Sequence, residues 1–280
     1  SIENCLEFYD AKKQSGFLRN LIIRTSSTRE IMVIIIFKEN REKEIFKLLD
    51  SVYNRFPQIT SLQYIINQKN NDSINDQEVI LYKGKASISE SMISFSDKKE
   101  LKFIIGPKSF YQTNSFQAAK LYRIAAEFAD LKPEDIVYDL YTGTGTIANF
   151  IADNVSKVVG IDYIPEAIED AYQNSIYNNI KNTVFFAGDI MKVLNKEFVS
   201  ANGKPNVIIT DPPRAGMHEK VIRQIIEILP DRIVYISCNP ATQARDIEIL
   251  SSNYHIAKSR AVDMFPQTHH VENVLLLIKK

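Results

Sequence analysis

The segment Ile136-Val-Tyr-Asp-Leu-Tyr-Thr-Gly-Thr-Gly145 decides the fold of this chain. Its first five residues have the pattern of a buried strand, and a helical pattern over 146–153 follows at once. Gly143 and Gly145 allow the backbone to turn tightly and to approach a ligand closely. A strand, a glycine turn and a helix in this order predict a nucleotide-type binding turn.

The strand predicted at 157–161 leads into Asp162, whose carboxylate can accept hydrogen bonds from both hydroxyls of a ribose. Together with Ala148, the two glycines also fit the fingerprint of dinucleotide-binding proteins. The turn therefore predicts an adenosine-type ligand and does not separate NAD from S-adenosylmethionine. A tight turn that binds no ligand is the remaining interpretation.

Strands and helices alternate on both sides of this turn, after a long helical segment at 115–129. Such alternation is typical of an α/β fold with a parallel sheet that helices cover on both faces. Further strands are predicted at 183–187, 206–210, 232–236, 254–263 and 271–278, and helices at 165–178, 218–229 and 240–250.

The first hundred residues have a different pattern, which predicts an α+β module. Strands are predicted at 17–25, 30–37, 60–66 and 78–82, with one helix at 41–55. The pattern changes near residues 96–108. The chain is therefore divided into a domain of residues 1–105 and a domain of residues 106–280.

The composition of the 280 residues limits the class of protein. Lys and Arg number 34, as do Asp and Glu, so the net charge neither supports nor excludes RNA binding. Cys5 and Cys238 cannot by themselves build a disulfide framework, an iron–sulfur cluster or a zinc ribbon, which favours a reducing cytoplasm. The longest apolar run, 31–37, is too short to span a membrane. The start lacks an initiator Met, so we expect a piece of a longer protein.

The tetrapeptide Ser237-Cys238-Asn239-Pro240 places a thiol at the junction of a strand and a helix. Asn before Pro is a helix-start signal. A thiol at this position faces the positive end of the helix dipole, which predicts a favoured thiolate and a nucleophile. The alternative is an inert thiol in the core.

A second motif, Asp211-Pro-Pro-Arg214, follows the strand at 206–210, at the edge of the sheet where doubly wound folds bind ligands. Two prolines stiffen the loop and withhold two N–H donors. Asp211 is expected to contact a cofactor or a base, and Arg214 a phosphate or an oxyanion. The alternative is a rigid turn with Arg214 in a surface salt bridge.

Cys238 and Glu272 together fit one reaction, methylation at carbon 5 of uracil. Thiolate addition to carbon 6 makes carbon 5 nucleophilic, and a base must remove the carbon 5 proton after methyl transfer. Alone, Glu272 is equally typical of a surface carboxylate. His269 and His270 are adjacent and lack a further partner, so we expect them to orient the Glu272 segment and predict no metal site.

The chain resembles the bacterial RNA uracil-5-methyltransferases, which make 5-methyluridine in ribosomal and transfer RNA. Five ordered blocks carry the resemblance: Ser109-Phe-Tyr-Gln-Thr-Asn114, 139–145, 211–214, 237–240 and Phe265-Pro-Gln-Thr-His-His-Val-Glu272. The resemblance implies a Rossmann-like, S-adenosylmethionine-dependent methyltransferase sheet of seven strands with the last one antiparallel. A smaller α+β domain, residues 1–105, would precede it and contact the RNA.

The resemblance also implies residue roles. Cys238 would be the nucleophile and Glu272 the proton acceptor, while Phe110 and Arg214 would contact the RNA or the base. Thr146 stands where Asn can occur in relatives, and Asp162 where Glu is frequent. The residues implied for the S-adenosylmethionine site are Gln112, Tyr141, Gly143, Thr146, Asp162, Asp189 and Asp211.

Many relatives carry an N-terminal RNA-binding barrel, and several an iron–sulfur cluster; neither is expected in this chain. The implied partner is RNA, with 23S ribosomal RNA first and transfer RNA second, and we expect a cytoplasmic monomer. Three other functions stay open. They are a different RNA or DNA methyltransferase that grips an exocyclic amine through the Asp-Pro-Pro-Arg loop, a non-catalytic RNA-binding module and an NAD-dependent enzyme.

Overall fold

A computed structural model describes residues 6–74 and 76–280, so Cys5 lies outside the described residues. The chain forms two compact units. Unit 1 contains the described residues up to 90 together with 104–109, and unit 2 contains 91–103 and 110–280. The domain boundary predicted after residue 105 is a single cut, whereas the chain enters unit 2 at residue 91 and returns briefly to unit 1.

Unit 1 is built on a four-stranded sheet in the order β1-β2-β3-β4. β2 and β3 are parallel, and the other neighbours are antiparallel. The helix α1 connects the parallel pair and buries Ile45, Leu48 and Leu49. The elements are β1 (Leu18–Thr25), β2 (Ile31–Phe37), α1 (Glu42–Arg55), β3 (Ser61–Ile66) and β4 (Ile80–Gly84).

Two strands that the sequence analysis missed follow unit 1's sheet. β5 (Ile88–Ile93) and β6 (Glu100–Ile105) form a separate two-stranded sheet. In β5 the buried positions alternate, at Ile88, Glu90 and Met92. A glutamate in the middle of that buried face hides the alternation of apolar and polar residues by which half-buried strands are predicted.

Unit 2 contains a seven-stranded sheet in the order β12-β13-β11-β10-β7-β8-β9, which confirms the predicted fold class. The short helices α5 and α6 and a 3₁₀ turn at Ala152–Asn154 were not predicted. The elements are α2 (Ser115–Ala129), β7 (Ile136–Leu140), α3 (Thr146–Ile151), β8 (Lys157–Asp162), α4 (Pro165–Tyr177), β9 (Thr183–Ala187), α5 (Ile190–Val193), α6 (Lys196–Asn202), β10 (Val207–Thr210), α7 (Glu219–Ile228), β11 (Arg232–Ser237), α8 (Pro240–Leu250), β12 (Tyr254–Asp263) and β13 (Val271–Lys279).

The strands β7 to β11 are parallel, and β13 lies between β11 and β12, antiparallel to both. Successive residues face opposite sides of the sheet, so Val137 belongs to one buried cluster with α2 and α3, and Tyr138 to another with α7. Among the described residues, no helix combines the length and the apolar character that crossing a membrane requires.

A buried aspartate fastens the loop after β10 to α8. The side chain of Asp246 is fully buried, and its Oδ2 accepts hydrogen bonds from the Met217 N–H and the Tyr235 hydroxyl, both at 2.7 Å. Arg245 donates to the other carboxylate oxygen and to the carbonyl of Ala215 at 2.9 Å. The loop that carries the Asp-Pro-Pro-Arg motif is therefore held on a rigid helix.

We expect Asp246→Ala to lower the free energy of unfolding by about 2–5 kcal/mol, because two buried donors lose their acceptor. Asp246→Asn keeps one oxygen for both donors and should cost only about 1 kcal/mol. Urea denaturation of the two variants measures the difference. Equal losses from the two substitutions would contradict this assignment of the anchor.

Candidate active site

Six of the predicted site residues lie where strands of the seven-stranded sheet end or begin at one edge, within unit 2. Parallel strands end at the same edge. Asp162 is the last residue of β8, and the segments after β7, β9, β10 and β11 carry Tyr141, Asp189, Asp211 and Cys238 in turn. β13 runs the other way and begins at this edge. The last pair between β11 and β13 joins Ser237 to Asn273, and Cys238 and Glu272 are the residues next to that pair in the two segments.

The two glycines of the turn differ in the space around their Cα atoms. Gly143 has a φ of +54°, and a Cβ added there would meet no atom within 4 Å. Gly145 has a φ of +73°, and a Cβ added there would lie 2.8 Å from the Cβ of Ala171. The turn thus needs glycine at 145 for packing, whereas at Gly143 it presents bare backbone to open space, as a site that receives a ligand does.

Asp162 braces this turn. Its Oδ2 accepts a hydrogen bond from the Gly143 N–H and its Oδ1 one from the Ile164 N–H, both at 2.9 Å. A carboxylate has about four acceptor positions, so two remain for hydroxyl groups of a ligand. Asp189 likewise caps α5, with Oδ1 accepting from the Met191 N–H at 3.0 Å.

The remaining residues predicted for cofactor and substrate contact differ in exposure. Thr146 is buried, with its hydroxyl 3.2 Å from that of Thr144, so it is the least open of the set. Gln112 is half-buried before α2, and its side chain makes no hydrogen bond with the described residues. Phe110 is 71% exposed, which leaves its ring free to stack on a ligand.

Three carboxyl groups near this edge have few hydrogen-bond partners. Oδ2 of Asp139 accepts a hydrogen bond from the Thr142 hydroxyl at 2.6 Å, whereas no side-chain or backbone donor of the described residues lies within ordinary hydrogen-bond geometry of its buried Oδ1. The carboxylate of Asp211 makes no hydrogen bond with the described residues, and Glu272 Oε2 is buried without one. We call Asp139, Asp211 and Glu272 the acid cluster.

Burial and mutual repulsion perturb the acid cluster. Burial raises the pKa of Asp139 to about 7. The pKa of Asp211 lies well above its ordinary value, because of burial first and then the charges of Glu272 and Asp139. Burial also raises the pKa of Glu272, while Arg214 lowers it. A cationic ligand would relieve this repulsion, so the arrangement favours a positive charge at the site.

Cys238 is half-buried and directly precedes Asn239, the N-cap of α8. The predicted helix start is confirmed, with Asn239 accepting from the Ala241 N–H and Pro240 in the first turn. The expectation of a favoured thiolate is wrong, because the pKa of the thiol is raised. Burial and the charge of Glu272 outweigh the opposing charge of Arg214.

Arg214 lies between the loop after β10 and the segment before β13. Its carbonyl accepts hydrogen bonds from the Asn239 and Thr242 side chains, both at 3.1 Å. A guanidinium nitrogen lies 3.2 Å from Nδ1 of His270. Instead of the surface salt bridge considered from the sequence, it therefore contacts the histidine pair, whose segment carries Glu272. Within the described ranges, no three metal-ligating side chains form a group.

Two residues of the site were not assigned from the sequence. Asp139 was treated as part of the turn motif, although an acid inside a buried strand is a signal of an unusual role. Tyr122, on α2, lies among the same charges, since burial and then Asp211 raise its pKa well above the ordinary value. Its helical spacing is that of a core residue, so no sequence signal distinguished it.

Known proteins resemble this chain over nearly all its length. It is 57% identical over 274 residues to an uncharacterized RNA methyltransferase of Porphyromonas gingivalis, covering 97% of this chain and 58% of the relative. It is 56% identical over 278 residues to another from Bacteroides thetaiotaomicron, covering 98% of this chain and 60% of the relative. The chain thus spans about three fifths of the length of these curated relatives.

Solved structures agree with the fold. Pyrococcus abyssi tRNA (uracil-54, C5)-methyltransferase, in complex with S-adenosyl-L-homocysteine, superposes with a TM-score of 0.80 at 33% identity, over 99% of this chain and 64% of that chain. A tRNA m1G37 methyltransferase of M. jannaschii, at 13% identity and a TM-score of 0.55, shares the fold alone. The sequence model of the tRNA (uracil-5-)-methyltransferase family matches residues 75–280. By these matches, the chain belongs to the tRNA (uracil-5-)-methyltransferase family.

Proposed function

We propose that this chain is the catalytic part of an enzyme that transfers a methyl group from S-adenosylmethionine to carbon 5 of a uridine in RNA. The observation that supports the proposal is the pairing of Ser237 in β11 with Asn273 in β13, since Cys238 and Glu272 are the residues adjacent to that pair. A nucleophile for carbon 6 and a base for the carbon 5 proton must flank one pyrimidine ring.

The residues at the sheet edge fit the cofactor. S-adenosylmethionine, when bound, supplies a methyl group on a positively charged sulfur. Gly143 leaves room for a ligand, and Asp162 keeps acceptor positions for ribose hydroxyls. The acid cluster, with its unpartnered oxygens, suits the sulfonium and ammonium charges. The residues proposed to hold the cofactor are Gln112, Tyr141, Gly143, Thr146, Asp162, Asp189 and Asp211.

Cys238 begins the proposed reaction. After the thiol loses its proton to solvent, the sulfur bonds to carbon 6 of uracil, and the electron pair of the ring double bond forms an enolate over carbon 5, carbon 4 and O4. Carbon 5 would then form its bond to the methyl group while the bond between that methyl group and the sulfonium sulfur breaks, so that S-adenosylhomocysteine is the leaving group. The positive charge of Arg214 favours the thiolate that starts the sequence, which is a reason for that residue to lie beside the site.

Glu272 completes the proposed reaction. It removes the proton from carbon 5, the double bond between carbons 5 and 6 forms again, and the bond between sulfur and carbon 6 breaks. A carboxylate whose pKa is raised by burial holds a proton more firmly than an exposed one. Such a base typically accelerates proton transfer by about 10²–10⁴-fold.

The RNA is the next part of the proposal. Phe110, proposed to contact the base, is exposed, as an aromatic ring that stacks on an unpaired base must be. The resemblance put large-subunit ribosomal RNA first, whereas the family model and the Pyrococcus abyssi structure carry tRNA in their names. The two RNAs are therefore tested side by side.

Methyl transfer to an exocyclic amine is the second candidate function. The observation that favours it is the Asp211 carboxylate, which has no hydrogen-bond partner among the described residues and is free to accept from an amino group. That chemistry requires neither Cys238 nor Glu272, so substitution of the cysteine separates the two candidates.

We expect a covalent complex when the protein meets S-adenosylmethionine and RNA that contains 5-fluorouridine. Fluorine at carbon 5 cannot leave as a proton, so the bond between Cys238 and carbon 6 persists through denaturation. The complex is detected as a shifted band in SDS gels, with tRNA and large-subunit rRNA transcripts as separate substrates.

Cys238→Ser should abolish the band, whereas Cys5→Ser, the matched control, should keep it. A band that survives Cys238→Ser would reject the assigned nucleophile. If neither RNA gives a band, the assay is repeated on a protein extended to the relatives' full length. Absence of the band there as well, with S-adenosylhomocysteine bound, would reject uracil as the target.

Glu272→Gln should accumulate the methylated adduct with ordinary RNA, because the thiol cannot leave until the carbon 5 proton does. SDS gels with methyl-labelled cofactor measure the trapped species. Glu248→Gln, at an exposed glutamate of α8, is the control and should turn over normally. Normal turnover by Glu272→Gln would contradict the assignment of Glu272 as the acceptor of the carbon 5 proton.

The pKa of the Cys238 thiol predicts its reactivity with iodoacetamide. In a Cys5→Ser background, alkylation should reach half its maximal rate at a pH above the ordinary value for cysteine, because burial and Glu272 disfavour the thiolate. Glu272→Gln should lower that midpoint, and Arg214→Gln should raise it, since each removes one charge. Mass spectrometry across a pH series measures the rate. Midpoints that move in the same direction would contradict the electrostatic arrangement.

A further inference from the structure

His270 is the member of the histidine pair that contacts Arg214. Its Nδ1 lies 3.2 Å from a guanidinium nitrogen of Arg214. The ring of His269 lies beside that of His270, with 4.2 Å between centroids, and the ring of Phe265 meets it edge-on at 6.4 Å. The His270 N–H donates to the Thr268 hydroxyl at 3.1 Å. These contacts hold the imidazole in one orientation.

The contact with Arg214 decides where the His270 ring carries its proton. A guanidinium has only hydrogen-bond donors and stays charged, so Nδ1 must accept through its lone pair. A proton on Nδ1 would place two donors and two positive charges face to face at 3.2 Å. The imidazole is therefore neutral, with its proton on Nε2.

The two ends of Arg214 are attached to the two segments of the proposed reaction. Its carbonyl accepts a hydrogen bond from the side chain of Asn239 at 3.1 Å, and Asn239 directly follows Cys238. Its guanidinium contacts His270, which precedes Glu272 by two residues. The main chain of Arg214 is thus fixed to the segment of the nucleophile, and its charged end to the segment of the base.

The position of the guanidinium depends on its own partner, because the backbone around it is fixed. The Gly216 N–H donates to the Pro213 carbonyl at 2.8 Å. Gly216 has a φ of +78°, and a Cβ added there would lie 2.7 Å from the guanidinium of Arg245. In the part of the chain that the structure describes, no carboxylate forms a salt bridge with Arg214, so His270 is the side chain that orients it.

A neutral acceptor differs from a carboxylate in its effect on the charge of Arg214. A carboxylate in place of the ring would also hold the guanidinium, but it would neutralise the positive charge. The imidazole holds the guanidinium and leaves the charge in full. That charge acts on the nucleophile, since burial and then Glu272 raise the pKa of Cys238, whereas Arg214 lowers it.

We propose that His270, as the neutral Nε2–H tautomer, is a positioning residue that holds the Arg214 guanidinium in place without neutralising its charge. The oriented charge stabilises the Cys238 thiolate that adds to carbon 6 of uracil. His270 acts through Arg214 and neither gains nor loses a proton in the reaction. This inference rests on the proposed function.

Three substitutions of His270 separate holding the guanidinium from neutralising it. Asn places a neutral amide oxygen near the position of Nδ1, Asp has the same shape with a negative charge, and Leu has no acceptor. We expect His270→Asn to preserve the arrangement. His270→Asp should hold the guanidinium but neutralise its charge, and His270→Leu should release it.

The measurement is the alkylation of Cys238 by iodoacetamide across a pH series, in a Cys5→Ser background and without RNA. The midpoint should stay at the wild-type pH in His270→Asn and rise by about one pH unit in His270→Asp, the scale of one nearby charge. It should rise less in His270→Leu, whose guanidinium keeps its charge but not its position. Below the midpoint, His270→Asp should form the covalent complex with 5-fluorouridine RNA about tenfold more slowly, because the thiolate is the nucleophile.

His255→Asp is the matched control. His255 is exposed on β12 and pairs with Ile278, at the far end of the ladder from the pair of Asp263 with Val271. The substitution adds the same charge away from the site and should leave the midpoint unchanged.

Equal midpoints in His270→Asn and His270→Asp would overturn the inference. So would a wild-type midpoint in His270→Leu, or a midpoint in His270→Asn as high as in His270→Leu. A purely structural role predicts the reverse order for the charged variant, because an ion pair with Arg214 would hold the segment at least as well as an amide does. Thermal unfolding midpoints of the variants show whether each one is folded at the temperature of the assay.

The alkylation series needs no RNA, so it separates this inference from the proposed function. An altered order of midpoints together with a normal wild-type RNA adduct rejects the role of His270 alone. Absence of the adduct from the full-length wild-type protein, with S-adenosylhomocysteine bound, rejects the proposed function, and with it the part of this inference that concerns carbon 6.

Discussion

The antiparallel insertion of β13 between β11 and β12 is the constraint on which the site depends. A side chain carried by the last strand reaches the edge where the parallel strands end only because β13 begins there. A shift of one residue in the pairing would turn every side chain of β13 to the opposite face. The buried amide of Gln243 opposes such a shift, because it donates to the carbonyls of Tyr235 and Asn273 at 3.0 and 3.2 Å. The Asn273 side chain donates back to Gln243 at 2.7 Å.

The acid cluster favours binding of a positively charged ligand but lowers the stability of the folded protein without it. Asp139, Asp211 and Glu272 are carried by three strand segments, and burial raises the pKa of each. One buried oxygen of Asp139 and one of Glu272 have no hydrogen-bond partner among the described residues. Such groups destabilise a folded protein that holds no compensating charge. In the proposed reaction the cofactor's cation compensates them. Burial, and then the charges of Glu272 and Asp211, raise the pKa of Cys238, so the nucleophile depends on its surroundings more than on its position before a helix.

Much of the fold could be predicted because its signals are local. Helical spacing, apolar runs and the glycine turn located every strand of the seven-stranded sheet and the long helices around it. The strands β5 and β6 were not predicted, because a buried glutamate, Glu90, interrupts the apolar face of β5. The helices α5 and α6 were not predicted, because they are short and α6 buries no residue. Neither has an apolar stripe long enough to show the helical period.

The sequence by itself determined the chemistry that is available: a thiol before a helix, a carboxylate after a histidine pair, and a glycine turn after a buried strand. These features depend only on residue types and on their spacing along the chain. The tertiary structure decided which groups share one environment, because burial and charge–charge interaction depend on distances between segments far apart in the chain. It reversed the direction expected for the pKa of Cys238 and added Asp139 to the site.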